Sequence, residues 1–232
     1  MPIGNKSKSA SCYIKIIKDL IERHKIEMVY KLISALGGLK VIVEAEKEIY
    51  KKHKRSYPFS KSQRKSPNKD CEASIRKELE NQQTLTIGSR DFQVFATEVS
   101  TKKHKSSTLP GGSIDLLAID KSTKRVVILE LKNKHNKERF ISAIIQGCIY
   151  RAQLSFLKSN LKTLAPQNLL SKRNMRYGVI VLAVDGWNRI NEEKKYLREL
   201  FKRNAAELYA VAKIQKKDGI WQGNWIAGGP KS

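Results

Sequence analysis

Two short and almost wholly apolar segments, joined by a four-residue turn, constrain the fold of this chain more than any other feature. They are SIDLLAID (113–120) and RVVILELK (125–132), and KSTK connects them. Apolar runs of this length on either side of a turn predict the two strands of an antiparallel hairpin. Since the runs have few polar positions, we expect the hairpin to be buried in a sheet.

Three charged side chains interrupt these apolar strands: Asp115 on the first, and Glu130 and Lys132 on the second. Side chains alternate between the faces of a strand, so Glu130 and Lys132 point to the same face. A buried acid is costly unless it is paired or holds a metal ion. The simpler interpretation is an ion pair near a solvated strand end. The functional one is a site where two carboxylates and a lysine hold Mg²⁺ and orient water against a phosphodiester.

The remaining pattern predicts a helical first part followed by alternating helices and strands. Helical spacing over residues 11–36 ends at Gly37-Gly38, and the Ser-, Lys- and Pro-rich stretch 56–70 indicates a linker. We therefore expect a basic helical region at 1–70 and a second domain at 71–232. GNWIAGG near the end is interpreted as a glycine-rich tail. The predicted elements of the second domain are a helix from 71, a strand at 91–99, the hairpin, a helix at 138–158, a strand at 176–185, and a late helix and strand. Their order predicts an α/β sandwich around a mixed sheet.

Composition points to a polyanionic partner. The 232 residues include 46 Lys and Arg against 22 Asp and Glu, a formal net charge of +24. Each phosphate that such a surface neutralises releases counterions, which favours nucleic acid. No apolar run approaches a membrane span, and the first residues lack a signal-peptide core. The three widely separated cysteines indicate reduced thiols. We expect a soluble cytoplasmic protein, with nucleoid association compatible with its charge.

The series from Gly111 to Tyr150 resembles the PD-(D/E)XK nuclease superfamily, in particular its RecB-like and NucS-like endonucleases. The shared features are an acid after a glycine-rich turn (Asp115), an apolar strand ending in Glu130-Leu131-Lys132, and a following helix with Gln146 and Tyr150. The resemblance covers about residues 70–185. Ile114 stands where the family often has a proline.

This resemblance implies a restriction-endonuclease-like three-layer sandwich, in which helices flank a mixed central β-sheet, with an N-terminal helical extension. It also implies a Mg²⁺-dependent DNA endonuclease, with Mn²⁺ as a substitute metal. Asp115, Glu130 and the Leu131 carbonyl would ligate the metal, and Lys132 would orient the water. Gln146 and Tyr150, four residues apart on one helix face, would position the metal site or the scissile backbone.

The family usually adds a glutamate on the helix before the first strand. Glu72 is our choice for that metal-site and catalytic role, with Glu78 and Glu80 as alternatives. Basic residues near the site are candidate DNA contacts, namely Lys102, Lys103, Lys134, Arg139 and Arg151.

Three functional hypotheses stay open. The first is the nuclease, for which a homodimer is compatible because cutting both strands of a duplex needs two sites. The second is a catalytically inactive nucleic-acid-binding protein that keeps the nuclease fold. The third is a ribosome-associated or other structural basic protein.

Overall fold

This computed structural model describes residues 6–51, 72–101, 113–133, 138–156, 165, 176–184, 190–204 and 207–229. Six helices lie in these ranges: α1 (Lys6–Glu22), α2 (Ile26–Ala35), α3 (Leu39–Lys51), α4 (Glu72–Gln82), α5 (Phe140–Leu154) and α6 (Ile190–Arg203). Seven strands accompany them: β1 (Thr84–Ile87), β2 (Arg90–Ser100), β3 (Ser113–Asp120), β4 (Arg125–Lys132), β5 (Tyr177–Val184), β6 (Leu208–Lys217) and β7 (Ile220–Gly228).

The seven strands form a closed barrel in sequence order. β1 to β4 make an antiparallel meander, β4, β5 and β6 pair in parallel, and β7 returns antiparallel to β6. β7 then pairs in parallel with β1 and closes the sheet. The predicted three-layer sandwich with an open sheet is therefore wrong, because the sheet has no free edge strands at β1 and β7.

The error comes from the two strands that the sequence pattern did not reveal. β1 has four residues, too few for a periodic signal, and β7 contains the segment interpreted as a glycine-rich tail. Gly223 shows why a glycine stands in β7: a Cβ there would lie 2.7 Å from the backbone oxygen of Lys213. The close approach of β7 to β6 requires a residue without a side chain.

Several local predictions are confirmed. β3 and β4 form the antiparallel hairpin, with Leu116 opposite Leu129. The helical pattern at 11–36 is present but interrupted, since α1 ends at Glu22 and His24 adopts a positive φ of 56° before α2 begins. Gly37 and Gly38, with φ of 98° and 90°, terminate α2 in a conformation that side chains disfavour.

Buried apolar side chains form two clusters on opposite faces of the sheet. The inner cluster contains strand residues together with two residues of α4, so it occupies the barrel interior and α4 covers one end. The outer cluster lies between the sheet's outer face and the other helices. The inner cluster is Ile75, Leu79, Leu85, Ile87, Phe92, Val94, Leu116, Ala118, Val127, Leu129, Leu131, Ile180, Leu182, Leu208, Ala210, Ala212, Ile214 and Trp221. The outer cluster includes Ile17, Val29, Ile33, Leu39, Val43, Ile128, Phe140, Ile144, Val179, Leu197 and Tyr209.

The N-terminal helices α1 to α3 contribute to the same outer cluster as the barrel. Tyr30 of α2 stacks on Tyr196 of α6, with ring centroids 5.2 Å apart, and its hydroxyl donates to Glu193 at 2.9 Å. Residues 52–71, which include the predicted linker, lie outside the described residues. The division at residue 70 stays a prediction.

Helix α5 begins without a side-chain cap of its own, and its first amides are satisfied from α6 instead. The backbone N–H groups of Phe140 and Ile141 donate to the carboxylate of Glu193 at 3.3 and 3.2 Å. A carboxylate at this position also complements the positive end of the helix dipole. Glu193 therefore joins the starts of α5 and α6 to Tyr30 of α2.

Among the helices that the structure describes, none combines the length and the apolar character required to cross a bilayer.

Gly147 allows α5 to pack closely on β5, which yields a test of the packing. A Cβ at Gly147 would lie 2.2 Å from Cγ1 of Val179. Replacing a glycine by alanine inside an exposed helix normally stabilises it by about 0.5–1 kcal/mol. Here we expect Gly147→Ala to lower the free energy of unfolding by about 1–3 kcal/mol, because the added methyl overpacks the contact. Urea denaturation measures the change, and a variant as stable as the parent would contradict the close approach.

Candidate functional site

Asp115 lies where the β3–β4 hairpin stops pairing. The last recorded pair at this end is Leu116 with Leu129, and the next residues along the two strands are Asp115 and Glu130. Asp115 Oδ2 instead accepts a hydrogen bond from the backbone N–H of Leu131 at 2.9 Å. The carboxylate thus occupies the place of a strand partner and is fixed against the backbone of β4.

Glu130 and Lys132 leave β4 on its outer face, the face of Ile128, and both are buried, with 2% and 5% of their surface exposed. Lys132 Nζ contacts Glu130 Oε1 at 3.0 Å and Glu138 Oε2 at 2.8 Å. The second oxygen of Glu130, Oε2, accepts no hydrogen bond from any residue that the structure describes. A buried carboxylate oxygen without a donor is costly and calls for a partner.

Burial makes both carboxylates harder to ionise. Burial raises the pKa of Glu130 to about 8, and the negative charge of Asp115 adds to the shift while Lys132 opposes it. Burial raises the pKa of Asp115 to about 6, against the opposing effects of the Arg76 charge and the Leu131 N–H. A cation between such groups would relieve both shifts.

The start of α4 reaches the same place from the other side. Glu72 Oε1 accepts from the backbone N–H of Asn133, one residue beyond β4, at 3.2 Å, and its charge acts on Asp115. Glu78 accepts from Lys216 and from the indole of Trp221, whereas Glu80 accepts from the hydroxyl of Thr97, which pairs with Leu116 beside Asp115. Of the three candidate glutamates, Glu72 is the one whose charge raises the pKa of Asp115.

Helix α5 packs on β4 and β5 and carries Gln146 and Tyr150. Gln146 Nε2 donates to the Tyr150 hydroxyl at 2.7 Å. Burial raises the pKa of the Tyr150 phenol above its usual range, and the negative charges of Glu130 and Asp115 raise it further. Tyr150 is a neutral hydrogen-bonding group.

The structure describes two of the five candidate DNA-binding residues, and both form ion pairs within the protein. Arg139 pairs with Glu192, and Arg151 forms a bidentate pair with Glu207 while its guanidinium also lies over the Tyr209 ring. These interactions engage Arg151 within the protein. Lys102, Lys103 and Lys134 lie outside the described residues.

Three residues join the site without having been predicted. Arg76 of α4 bonds to Asp115 Oδ1 at 2.7 Å and to Glu98 Oε1 at 2.8 Å, and Glu138 contacts Lys132. Glu98 faces Asp115 across the β2–β3 ladder, between the pairs Thr97–Leu116 and Val99–Ile114. The sequence would have indicated Glu98 only if this register had been known.

The residues present fit a magnesium ion of the kind held by few protein ligands. Within the part of the chain that the structure describes, no group of three or more His, Cys, Asp or Glu side chains is arranged to hold a metal. Magnesium is often bound through one or two carboxylates plus water and substrate phosphate, so two acids suffice. Asp115 and Glu130 supply them, and the unpartnered Oε2 of Glu130 is an available donor atom. Lys132 and Arg76 now provide the positive charge.

Comparison of the chain with protein-family models, with curated proteins and with solved structures finds no match in any of the three.

The raised pKa of Glu130 predicts how stability depends on pH in metal-free protein. The folded state holds this proton more tightly than the unfolded state, so stability present at low pH is lost as pH rises from the ordinary glutamate pKa of 4.5 to about 8. We expect Glu130→Gln to remove this loss. Between pH 5 and pH 8, the Tm of the parent should fall by at least about 2 °C more than that of the variant.

Thermal unfolding followed by circular dichroism, with chelator present, measures this difference. Glu199→Gln, at an exposed position of α6, is the matched control and should run parallel to the parent. Parallel curves for Glu130→Gln would contradict the buried, proton-binding carboxylate.

Proposed function

We propose that this protein is a metal-dependent DNA endonuclease that hydrolyses phosphodiester bonds. One observation carries the proposal: Asp115, Glu130 and Lys132 lie together where the β3–β4 hairpin stops pairing, and a buried oxygen of Glu130 lacks a donor among the described residues. This arrangement agrees with the motif series that resembles the PD-(D/E)XK superfamily, although the barrel departs from the three-layer sandwich expected of it.

Asp115, Glu130 and the carbonyl of Leu131 would hold the ion, with Glu72 beside them. When bound, Mg²⁺ would lower the pKa of a water molecule and stabilise negative charge on the phosphate. Asp115 is held in position by the Leu131 N–H, and Glu130 by Lys132. The protein therefore presents two carboxylates whose orientation is set before any ligand arrives.

Lys132 would act as a cation. Burial alone would lower the pKa of its ammonium group, but the charges of Glu130 and Glu138 outweigh burial and raise it above the usual range. A lysine held in its protonated form cannot accept a proton from water at neutral pH. It can donate hydrogen bonds to water and to a phosphate oxygen as negative charge develops. Neutral Tyr150 and Gln146 would add donors on the opposite side.

DNA is the proposed partner because of the charge. Against 22 acidic residues the chain has 46 basic ones, and such a surplus attracts a phosphate backbone whatever its sequence. An intracellular setting is part of the proposal.

A catalytically inactive nucleic-acid-binding protein is the second candidate. The observation that favours it is that each carboxylate already has a cationic partner, Arg76 for Asp115 and Lys132 for Glu130. Such pairs could be purely structural. Retardation of DNA without any metal-dependent cleavage would favour this candidate over the enzyme.

Lys132→Ala tests the enzyme directly. Incubation of supercoiled plasmid with the parent and Mg²⁺ or Mn²⁺ should produce nicked or linear DNA, and chelator should abolish the reaction. Since Lys132 would contact the reacting phosphate, we expect the variant to cleave the plasmid at least about 100-fold more slowly than the parent. Affinity for DNA should stay within about threefold, because one buried cation contributes little to binding the duplex.

Lys121→Ala, in the exposed β3–β4 turn, removes the same charge from the same hairpin and serves as the control. Cleavage by Lys132→Ala at the rate of the control would overturn the proposed role of Lys132.

The excess of basic residues predicts that the affinity for DNA depends steeply on salt concentration. If several phosphates are neutralised, the affinity for duplex DNA should fall by about 10³-fold or more between about 50 and 200 mM salt. Fluorescence anisotropy with a labelled duplex measures it. An affinity that is flat over this range would leave the net charge without a functional explanation.

A further inference from the structure

Arg76 occupies the oxygen of Asp115 that a metal ion would need. Asp115 Oδ2 is taken by the Leu131 N–H, and Oδ1 by Arg76 Nη1 at 2.7 Å. The Arg76 side chain is 15% exposed, and the carboxylates of Asp115 and Glu98 are 13% and 14% exposed. An ion that binds Asp115 through Oδ1 would therefore compete with the guanidinium of Arg76 for that oxygen, within a largely desolvated pair.

Arg76 also has a second anchor and an unused donor. Its Nη2 bonds to Glu98 Oε1 at 2.8 Å, while its buried Nε finds no acceptor among the described residues. If Asp115 were the only partner of Arg76, loss of that ion pair would leave a buried and uncompensated charge. Glu98 prevents this outcome, since it can keep Arg76 paired when Asp115 is engaged elsewhere.

The backbone at Glu98 supports a functional role for that anchor. Glu98 lies within strand β2 and yet has a φ of 48°, the left-handed region that side-chain-bearing residues rarely adopt. The strained residue lies between the β2–β3 pairs Thr97–Leu116 and Val99–Ile114, as Asp115 does on β3, and it is the residue of β2 that bonds to Arg76. Strain of this kind is concentrated at sites where the surrounding structure enforces a particular side-chain position.

We propose that Arg76 is a displaceable counter-cation of the metal site, and that Glu98 retains it after displacement. In the metal-free protein Arg76 neutralises Asp115. A divalent cation takes over Oδ1, and Arg76 stays bonded to Glu98 with its freed Nη1 donors available to a phosphate oxygen of the DNA. This inference rests on the proposed nuclease function and adds a further residue that contacts the substrate.

The device makes metal and DNA binding interdependent. A bound ion plus a retained arginine increases the positive charge of the site, which the substrate phosphate then balances. Each ligand should therefore raise the affinity for the other by the same factor. The site would hold metal weakly alone and more tightly with DNA.

The experiment is a calorimetric titration of Mn²⁺ into the full chain, without DNA. Arg76→Gln keeps a polar side chain and removes the competitor, so we expect the Kd for Mn²⁺ to fall by about tenfold or more. Lys77→Gln is the matched control, because it removes the same charge from the next, exposed position of α4. Its screened charge should change the Kd by less than about twofold.

Glu98→Gln distinguishes displacement from a general charge effect. Without its second anchor, Arg76 should hold Asp115 more firmly, so the Kd for Mn²⁺ should rise by about tenfold. In the Arg76→Gln background the same substitution should have little effect, because no arginine is left to retain. Such non-additivity is the signature of coupling between the two residues. Equal effects of Glu98→Gln in both backgrounds would overturn the proposal.

Other outcomes separate this proposal from the nuclease hypothesis. If the parent binds Mn²⁺, Asp115→Asn abolishes binding and Arg76→Gln leaves the Kd unchanged, the metal site stands and the displacement model fails. If the parent does not bind Mn²⁺ but Arg76→Gln does, Arg76 is the block, as proposed. If neither binds Mn²⁺, the displacement model fails, and the plasmid cleavage assay decides the nuclease hypothesis separately. Should Arg76→Gln unfold, Arg76→Lys, which retains charge but loses the fork, should still tighten binding by about threefold or more.

Discussion

The parallel pairing of β7 with β1 is the constraint on which the rest of the architecture depends. Once these strands meet, the sheet has a sealed interior, and its inner cluster can be covered by a helix only from an end. α4 takes that position, and its first turns thereby reach the hairpin where β3 and β4 separate. The packing of Ile75 and Leu79 brings Arg76 to Asp115 and Glu72 to the backbone N–H of Asn133. The remaining helices pack on the outer face, where α5 lies against β4 and β5.

The main energetic cost of the site is the placement of two acidic side chains in surroundings of low dielectric constant. Asp115 is partly buried and Glu130 fully buried at the adjoining ends of β3 and β4, and neither is fully compensated by backbone donors. Proteins usually lower the cost of a buried carboxylate by protonation, by a paired cation or by a metal ion. Here Lys132 and Arg76 are the paired cations. The Lys132 ammonium group lies between the carboxylates of Glu130 and Glu138. The guanidinium of Arg76 bonds through one terminal nitrogen to Asp115 and through the other to Glu98, whose backbone is strained.

The parts of the fold that the sequence predicted are those whose signals are local. The hairpin of β3 and β4 could be recognised because both strands are long, apolar and separated by a single turn, and the helix that carries Gln146 and Tyr150 follows soon after. β1 and β7 could not, since one is too short for periodicity and the other uses glycine for close strand contact. The presence of Arg76 and Glu98 at the site could not be predicted, because it depends on how segments distant in sequence pair with one another. The spacing of residues along the chain does not reveal this pairing.

The capping of α5 by Glu193 has a consequence for the order of folding. The helix that carries Gln146 and Tyr150 has its first amides satisfied by a residue more than fifty positions later in the chain. Contacts of such long sequence separation carry the entropic cost of closing the intervening loop. A nascent chain that has emerged only as far as β5 lacks Glu193, the acceptor of the first α5 amides. The helix that carries Gln146 and Tyr150 therefore gains its cap only once α6 has been synthesised.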